Sequence, residues 1–376
     1  MVGFVSAVLI TVYAILFLIA ESERAVVILL VVGAAVILAA SRLGYLQHTL
    51  QAFRVHERLM HGVALLGVLV VTGFFYEDHY VLFLIATILL YILSCLGLHI
   101  QLGYAGVLNF SGAAFFGIGS YTAAVLTVHT GTPHLLILLI GGLLAALIGS
   151  ILILPLLRTS GHYTALITIA FSILFKTFLE VNDTLGGPQG LRVEGLQILG
   201  LSFNDNIMIG EHELSFFLNY ILLTLILVAL AFLLTKRLER SWIGLNMDAV
   251  RLDETVSACF GLDIARWKIL AFTLGNILPG IAGAIYGTMI GFIAPTNFTF
   301  ADSLILLSII LLGGIGNPWG LSFATVIVVI LPEKLQVIQE YRFLLYAALV
   351  ILVLRFRPDG LLPRQLRTYL PGGKST

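Results

Sequence analysis

The sequence predicts an all-α polytopic membrane helical bundle of about 10–12 spans, some of them broken or re-entrant. Hydrophobic residues make up 59% of the 376 and charged residues only 11%, where a soluble domain carries roughly 25% charge. Mean hydropathy is +1.06. The apolar residues form continuous runs close to the ~20 residues that a spanning helix needs. A membrane β-barrel would instead alternate apolar and polar residues in segments of about 10. So little polar surface cannot cover a chain of this length in water.

The runs fall at roughly 2–20, 25–40, 61–76, 81–100, 103–128, 135–156, 163–181, 215–235, 269–292, 303–316, 319–332 and 343–355. Residues 2–20 lack a basic leading region and a small-residue cleavage site, so they read as a retained helix and not as a signal peptide. The last three runs are short, which suits tilted or re-entrant elements. Lys and Arg orient the bundle. With the N-terminus in the cytoplasm, the inside segments 41–60, 157–162, 236–268 and 355–376 carry three, one, six and five of them, fifteen in all. The outside segments carry four: Arg24, Arg192, Lys334 and Arg342. Both termini are therefore expected in the cytoplasm.

Two connections are long. Residues 182–214, expected outside, contain the turn-rich "GGPQGLRVEG" and the acidic Asp183, Glu194, Asp205, Glu211 and Glu213. Residues 236–268, expected inside, show Leu245, Val250, Val256, Phe260 and Ile264 near helical spacing. They predict one or two short amphipathic helices broken at Gly261, a connection too long and too patterned to be a passive linker.

Glycine is concentrated in three places: Gly103, Gly106, Gly112, Gly117 and Gly119; Gly280, Gly283, Gly287 and Gly291; and Gly313, Gly314, Gly316 and Gly320. Small residues let membrane helices approach closely, and that accounts for any one cluster. The first and third also hold polar or helix-breaking residues, Asn109 and Ser111 in one, Asn317 and Pro318 in the other. Unwound backbone at membrane depth is tolerated only beside protein or water, and transporters place substrate paths there. Asn276 and Pro279 suggest a kink in the 269–292 run. His99 and Gln101 are expected at the cytoplasmic interface.

Charges inside spans are costly. Lys176 and Glu180, four apart, are expected to pair on one helix face, and Asp302, at the outer end of its span, to lie at the interface or cap a helix start. Cys95 and Cys259 supply neither a disulfide framework nor a metal spacing, and the nine histidines show no ligand pattern. No G-x-x-x-x-G-K-[ST] phosphate loop and no H-E-x-x-H metal motif is present. The chain is thus expected not to be an enzyme, and energy for any transport would come from a partner or an ion gradient.

Four segments carry a resemblance. "LGYAGVLNFSGAAFFGIGSYTAAVL" (102–126) resembles the signature of the inner-membrane permeases of branched-chain amino acid ABC importers. "DETVSACFGLDIARWKILAFTLGNILPGIAGAIYGTMIGFIAPTNFTF" is similar to that family's cytoplasmic loop and following helix, and "LLGGIGNPWG" and "LRFRPDGLLP" resemble two later segments. The order is kept over roughly residues 85–365, as in the larger-permease branch.

The resemblance implies a transmembrane permease for branched-chain or other neutral amino acids. Its partners would be a second permease, two cytoplasmic ABC ATPases and a periplasmic or extracellular binding protein. No cofactor would be bound by this chain; ATP and Mg would be bound by the ATPases. The setting would be a bacterial inner (plasma) membrane, spanned many times. Residues 1–80 would be accessory helices, 81–365 the permease domain and 366–376 a tail. The coupling motif would fall on Arg251, Asp253, Glu254, Ala258 and Gly261, although Thr255-Val256-Ser257 replaces the motif's small-residue run. The translocation path would use Gly103, Gly106, Asn109, Ser111, Gly112, Phe115, Phe116, Gly313, Gly314, Gly316 and Asn317. Family members that move urea or short amides, and an ion-driven carrier using Lys176, Glu180 or Asp302, are the alternatives.

Overall fold

The computed structural model describes residues 2–20, 57–159, 162–198, 200–209 and 212–334, with scattered positions between 22 and 33 and between 341 and 362. Most of the expected runs 25–40 and 343–355, and all of the tail 366–376, lie outside the described residues. Among those residues, seven helices are long and apolar enough to cross a membrane. In chain order the helices are α1 (Val2–Ile19), α2 (Glu57–Phe74), α3 (His79–His99), α4 (Gly112–His129), α5 (His134–Leu156), α6 (His162–Val181), α7 (Phe217–Glu239), α8 (Trp242–Leu252), α9 (Glu254–Cys259), α10 (Ile264–Ile290), α11 (Phe300–Gly313) and α12 (Pro318–Lys334).

The helix starts follow local chemistry. Asp78 Oδ1 accepts from the Tyr80 and Val81 amides and opens α3. Asp263 Oδ1 accepts from the Arg266 amide and opens α10. At α11, Thr299 and Asp302 form a reciprocal capping box, as the acidic residue at the third helical position predicts. Thr299→Ala is expected to cost about 1 kcal/mol, read as a drop of about 2 °C in the melting temperature of the detergent-solubilised protein.

The chain divides into two compact units. The first comprises Met1–Ala86, Asn206–Ile221 and Val329–Arg342. Within it α1 packs on α2. Lys334 Nζ donates to the Leu18 and Ala20 carbonyls at 2.6 and 3.2 Å, a cation closing the carbonyl end of α1. The neighbouring Glu333 accepts from Tyr80 Oη at 3.0 Å.

The second unit, Thr87–Asp205, Leu222–Val328 and Phe343–Thr376, is organised around α10, which packs on α4 and α5. The middle glycine cluster explains that packing. A Cβ added at Gly283 would lie 1.8 Å from the Phe116 carbonyl oxygen, and one at Gly119 would lie 1.8 Å from that of Gly280. The two backbones touch with no side chain between them. Lipid gives no hydrophobic reward for helix association, so such contact supplies the adhesion. Beside it Phe115 meets Phe171 and Phe272 at 5.5 and 6.0 Å between ring centroids.

The structure corrects four sequence-based expectations. The expected span 103–128 begins only at Gly112, because the preceding helix widens into a π-helical turn, Ile100–Tyr104, and then unwinds. Asn276 and Pro279 do not interrupt α10, which runs unbroken from Ile264 to Ile290. Pro279 has no amide to offer the Gly275 carbonyl; that oxygen instead meets the backbone at Gly97, where an added Cβ would lie 2.2 Å away. His99 and Gln101, expected at a wet interface, are fully buried in protein, each 0% exposed. The 182–214 connection has the expected turns, with Gly186 and Gly190 at φ +82°, but also short strands. Leu191–Arg192 pairs antiparallel with Phe292–Ile293, Gln197–Ile198 with Leu201–Ser202, and Ile207–Ile209 with His212–Leu214.

Candidate functional site

Residues 100–111 leave the α-helix between α3 and α4 while staying mostly buried in protein. Each backbone amide and carbonyl that leaves a helix in apolar surroundings needs another partner, and here side chains supply them. Arg251 Nη1 donates to the Gly103 carbonyl at 2.6 Å. Thr168 Oγ1 accepts from the Phe110 amide at 3.1 Å, Asn109 Oδ1 from the Ser111 amide at 2.9 Å, and Ser303 Oγ from the Ala113 amide at 3.0 Å. The Val107 amide donates to the Gln101 carbonyl at 3.0 Å.

A buried polar triad closes the core end of this connector. Asn109 Nδ2 donates to Gln101 Oε1 at 2.8 Å, and Gln101 Nε2 donates to Asn276 Oδ1 at 2.8 Å and to the Phe272 carbonyl at 3.3 Å. Gly275 makes room: a Cβ there would lie 2.5 Å from Gln101 Cγ. Gly106, at φ +68°, adopts a left-handed conformation that glycine alone takes without strain, and it lies against the Arg251 stem.

The 236–268 connection, expected to form one or two short helices broken at Gly261, forms two, α8 and α9. Asp253 separates them, its Oδ1 capping α9 through the Val256 amide at 3.0 Å. Gly261, at φ +79° and exposed, ends the second. The inner face of α8 buries Met247 and Val250 in a cluster with Trp267 and Phe272. Leu252 at the end of α8, Val256 in α9 and Phe260 just after α9 are 81%, 50% and 82% exposed. Glu254 and Lys268 form an ion pair at 2.7 Å. That pair borders a cleft of about 90 Å³, which Gly106, Leu157, Thr159 and Thr164 also line.

The remaining candidates sort by their neighbours. The structure brings Gly103, Gly106, Asn109 and Arg251 together, with Ser111 joined through Asn109. Asp253 and Glu254 lie on the same segment, and Ala258 is exposed on it. Gly112 faces Leu98 and Leu306 side chains. Phe115 and Phe116 are buried, Phe116 beside Tyr91, Tyr286 and Phe298. Gly313, Gly314, Gly316 and Asn317 belong to a different structure, the tight turn between α11 and α12. There Gly313 packs on the Gly320 backbone, Gly314 on Gly360, and Asn317 Oδ1 accepts from the Trp319 amide at 3.0 Å. Lys176 and Glu180 pair at 3.2 Å as expected.

Sequence reasoning did not anticipate Gln101 and Asn276 as partners of Asn109, nor Thr168, Ser303 and Lys268 as supports. The signal for the first was available: amide side chains inside apolar runs demand partners, and three of them in two runs can satisfy one another. Among the described residues no group of three His, Cys, Asp or Glu could hold a metal.

Comparison with known proteins gives the lineage. The family model for the branched-chain amino acid transport system permease component matches residues 80–354. The high-affinity branched-chain amino acid transport system permease protein LivM of Escherichia coli is 34% identical over 294 residues, covering 74% of this chain and 69% of that relative. The probable branched-chain amino acid transport permease protein LivM of Methanocaldococcus jannaschii is 25% identical over 325 residues, 73% and 91% of the two chains. The permease protein LivH of Salmonella typhimurium is 26% identical over 298 residues, again 73% and 91%. No solved structure matches. The match over most of the chain, with apolar spanning helices throughout it, makes this a multi-pass membrane protein that belongs to the permease component family of branched-chain amino acid transport systems.

Proposed function

We propose that this chain is the transmembrane permease subunit of an ATP-driven ABC importer for branched-chain or other neutral amino acids, and forms the translocation path with a second permease. Two cytoplasmic ATPases bind ATP and Mg, and an external binding protein delivers the solute. The observation that carries this reading is the exposed apolar apex Leu252, Val256 and Phe260 on a short, charge-stapled helix pair. Apolar side chains at that exposure mark a surface meant to be covered. The excess of Lys and Arg puts this segment and both termini in the cytoplasm, where ATPases would meet it. In this reading Asp253, Glu254, Ala258 and Gly261 build the docking segment: Asp253 caps it, Glu254 ties it to Lys268, and Gly261 turns it back toward α10.

Gly103, Gly106, Asn109, Ser111, Gly112, Phe115 and Phe116 are the framework behind the path, since they pack chiefly against this chain. Gly313, Gly314, Gly316 and Asn317 fix a second hinge-like turn of that framework. The groups an ion-driven carrier would use are occupied locally, Lys176 with Glu180 and Asp302 with Thr299. This supports an external motor. Residues 1–80 serve as accessory helices.

The test is reconstitution of the whole complex in proteoliposomes with labelled leucine, alanine and urea. ATP-dependent uptake of leucine is the expected result. Uptake of urea alone would replace the substrate class, and uptake driven by an ion gradient without the ATPases would overturn the reading.

A further inference from the structure

We propose that Arg251 is the positioning residue that ties movement of the docking segment to the buried core, acting through its grip on the Gly103 carbonyl. The proposal rests on the permease reading and names the residue path that reading lacks. Arg251 immediately precedes the exposed Leu252 in the chain, so its backbone moves with the apolar apex. Its guanidinium crosses to another element and holds a carbonyl in the π-helical turn at 2.6 Å. Its stem lies against Gly106, where an added Cβ would be 3.2 Å from Arg251 Cγ. One side chain thus touches the connector at two positions, one residue away from the proposed contact surface.

The connector's far end is the Gln101–Asn109–Asn276 triad, which reaches into α10. That helix is in backbone contact with α4 through Gly119, Gly280 and Gly283, and with α5 through Gly142, whose added Cβ would lie 3.1 Å from the Ile277 carbonyl oxygen. Where α10 meets α4 the contact is backbone on backbone, so a shift that reaches α10 through Asn276 is passed to α4 with little slack. The π-helical turn supplies the adjustable joint, because its hydrogen bonds run one residue longer than the α-helical ladder on its N-terminal side, and such turns recur at moving sites. A planar, permanently charged guanidinium on a carbonyl makes a directional tether that a neutral side chain would not reproduce.

The experiment measures ATP hydrolysis and labelled leucine uptake in the same proteoliposomes holding the complete complex. Uptake per ATP hydrolysed is expected to fall about tenfold in Arg251→Ala, and comparably in Asn109→Ala at the core end, with Arg251→Lys recovering at least half. An unchanged ratio in Arg251→Ala overturns the proposal. So does a parallel fall of both rates at constant ratio, which would make Arg251 only a docking contact. Should Arg251→Ala fail to assemble, Arg251→Lys and Arg251→Gln decide: a ratio kept by Lys and lost by Gln supports the tether, and equal ratios overturn it. Absence of ATP-dependent uptake in the unmodified complex would instead strike the permease reading itself.

Discussion

Gly283→Ala is expected to leave little folded protein. The added methyl would stand 1.8 Å from the Phe116 carbonyl oxygen, and the obstacle is backbone in the second turn of α4. A flexible side chain can swing away; a carbonyl inside a helix cannot move without its whole helix. Overpacking a core typically costs 1–3 kcal/mol when side chains can adjust, and here the cost should reach or exceed about 3 kcal/mol. Stability of proteins is only about 5–15 kcal/mol, so that single methyl removes a large share. The measurement is the yield of monodisperse detergent-solubilised protein and its melting temperature, with a fall of at least about 5 °C expected. Gly119→Ala should behave alike, because its methyl would meet the Gly280 carbonyl. Gly112→Ala should be milder: its neighbours are the Leu98 and Leu306 methyl groups, which can rotate. Gly73→Ala meets nothing within 4 Å and should be neutral or slightly stabilising.

Phe260→Asp is expected to abolish ATP-driven uptake while leaving the subunit folded. The ring is 82% exposed, so the bundle loses nothing when it goes. At an interface a buried aromatic anchor is worth at least about 2 kcal/mol, and an aspartate in its place adds a desolvation cost. Binding of the ATPase subunit should weaken by about 30-fold or more, measured by titration against the purified permease pair. Leu252→Asp should act in the same direction. A melting temperature equal to that of the unmodified protein would separate lost docking from lost folding, and undiminished binding would remove the apex from the interface.

How far the sequence foretold this molecule depends on the kind of interaction involved. Long apolar runs such as 135–156 and 163–181 need only local composition, and they reappear as α5 and α6 within a residue or so. Local chemistry was equally readable: Asp302 at a helix start, Lys176 with Glu180 and the turn at Gly261 are short-range pairings or single local preferences. Glycine content announced close approach without naming the partners, since Gly119 and Gly280 lie far apart in sequence. The start of the span expected at 103 was misplaced by several residues, because the unwound stretch before it is held by Arg251, Thr168, Ser303 and Asn276, none of them local. For the same reason Gln101 looked like an interface residue: an amide at the end of an apolar run is read as wet unless a distant partner is known. The candidate docking segment was legible as amphipathic helix, but which apolar residues would be left uncovered depends on how α8 seats on α10.

The connector at 100–111 bears on energy conservation as well as on movement. An energised membrane is drained by any continuous thread of water, because protons hop along it faster than any solute crosses. Several backbone groups that an uncoiled stretch would otherwise lend to such a thread are held instead by a guanidinium, two hydroxyls and an amide. Those four groups are thereby taken up by protein and are not lent to water, although the helix is lost there.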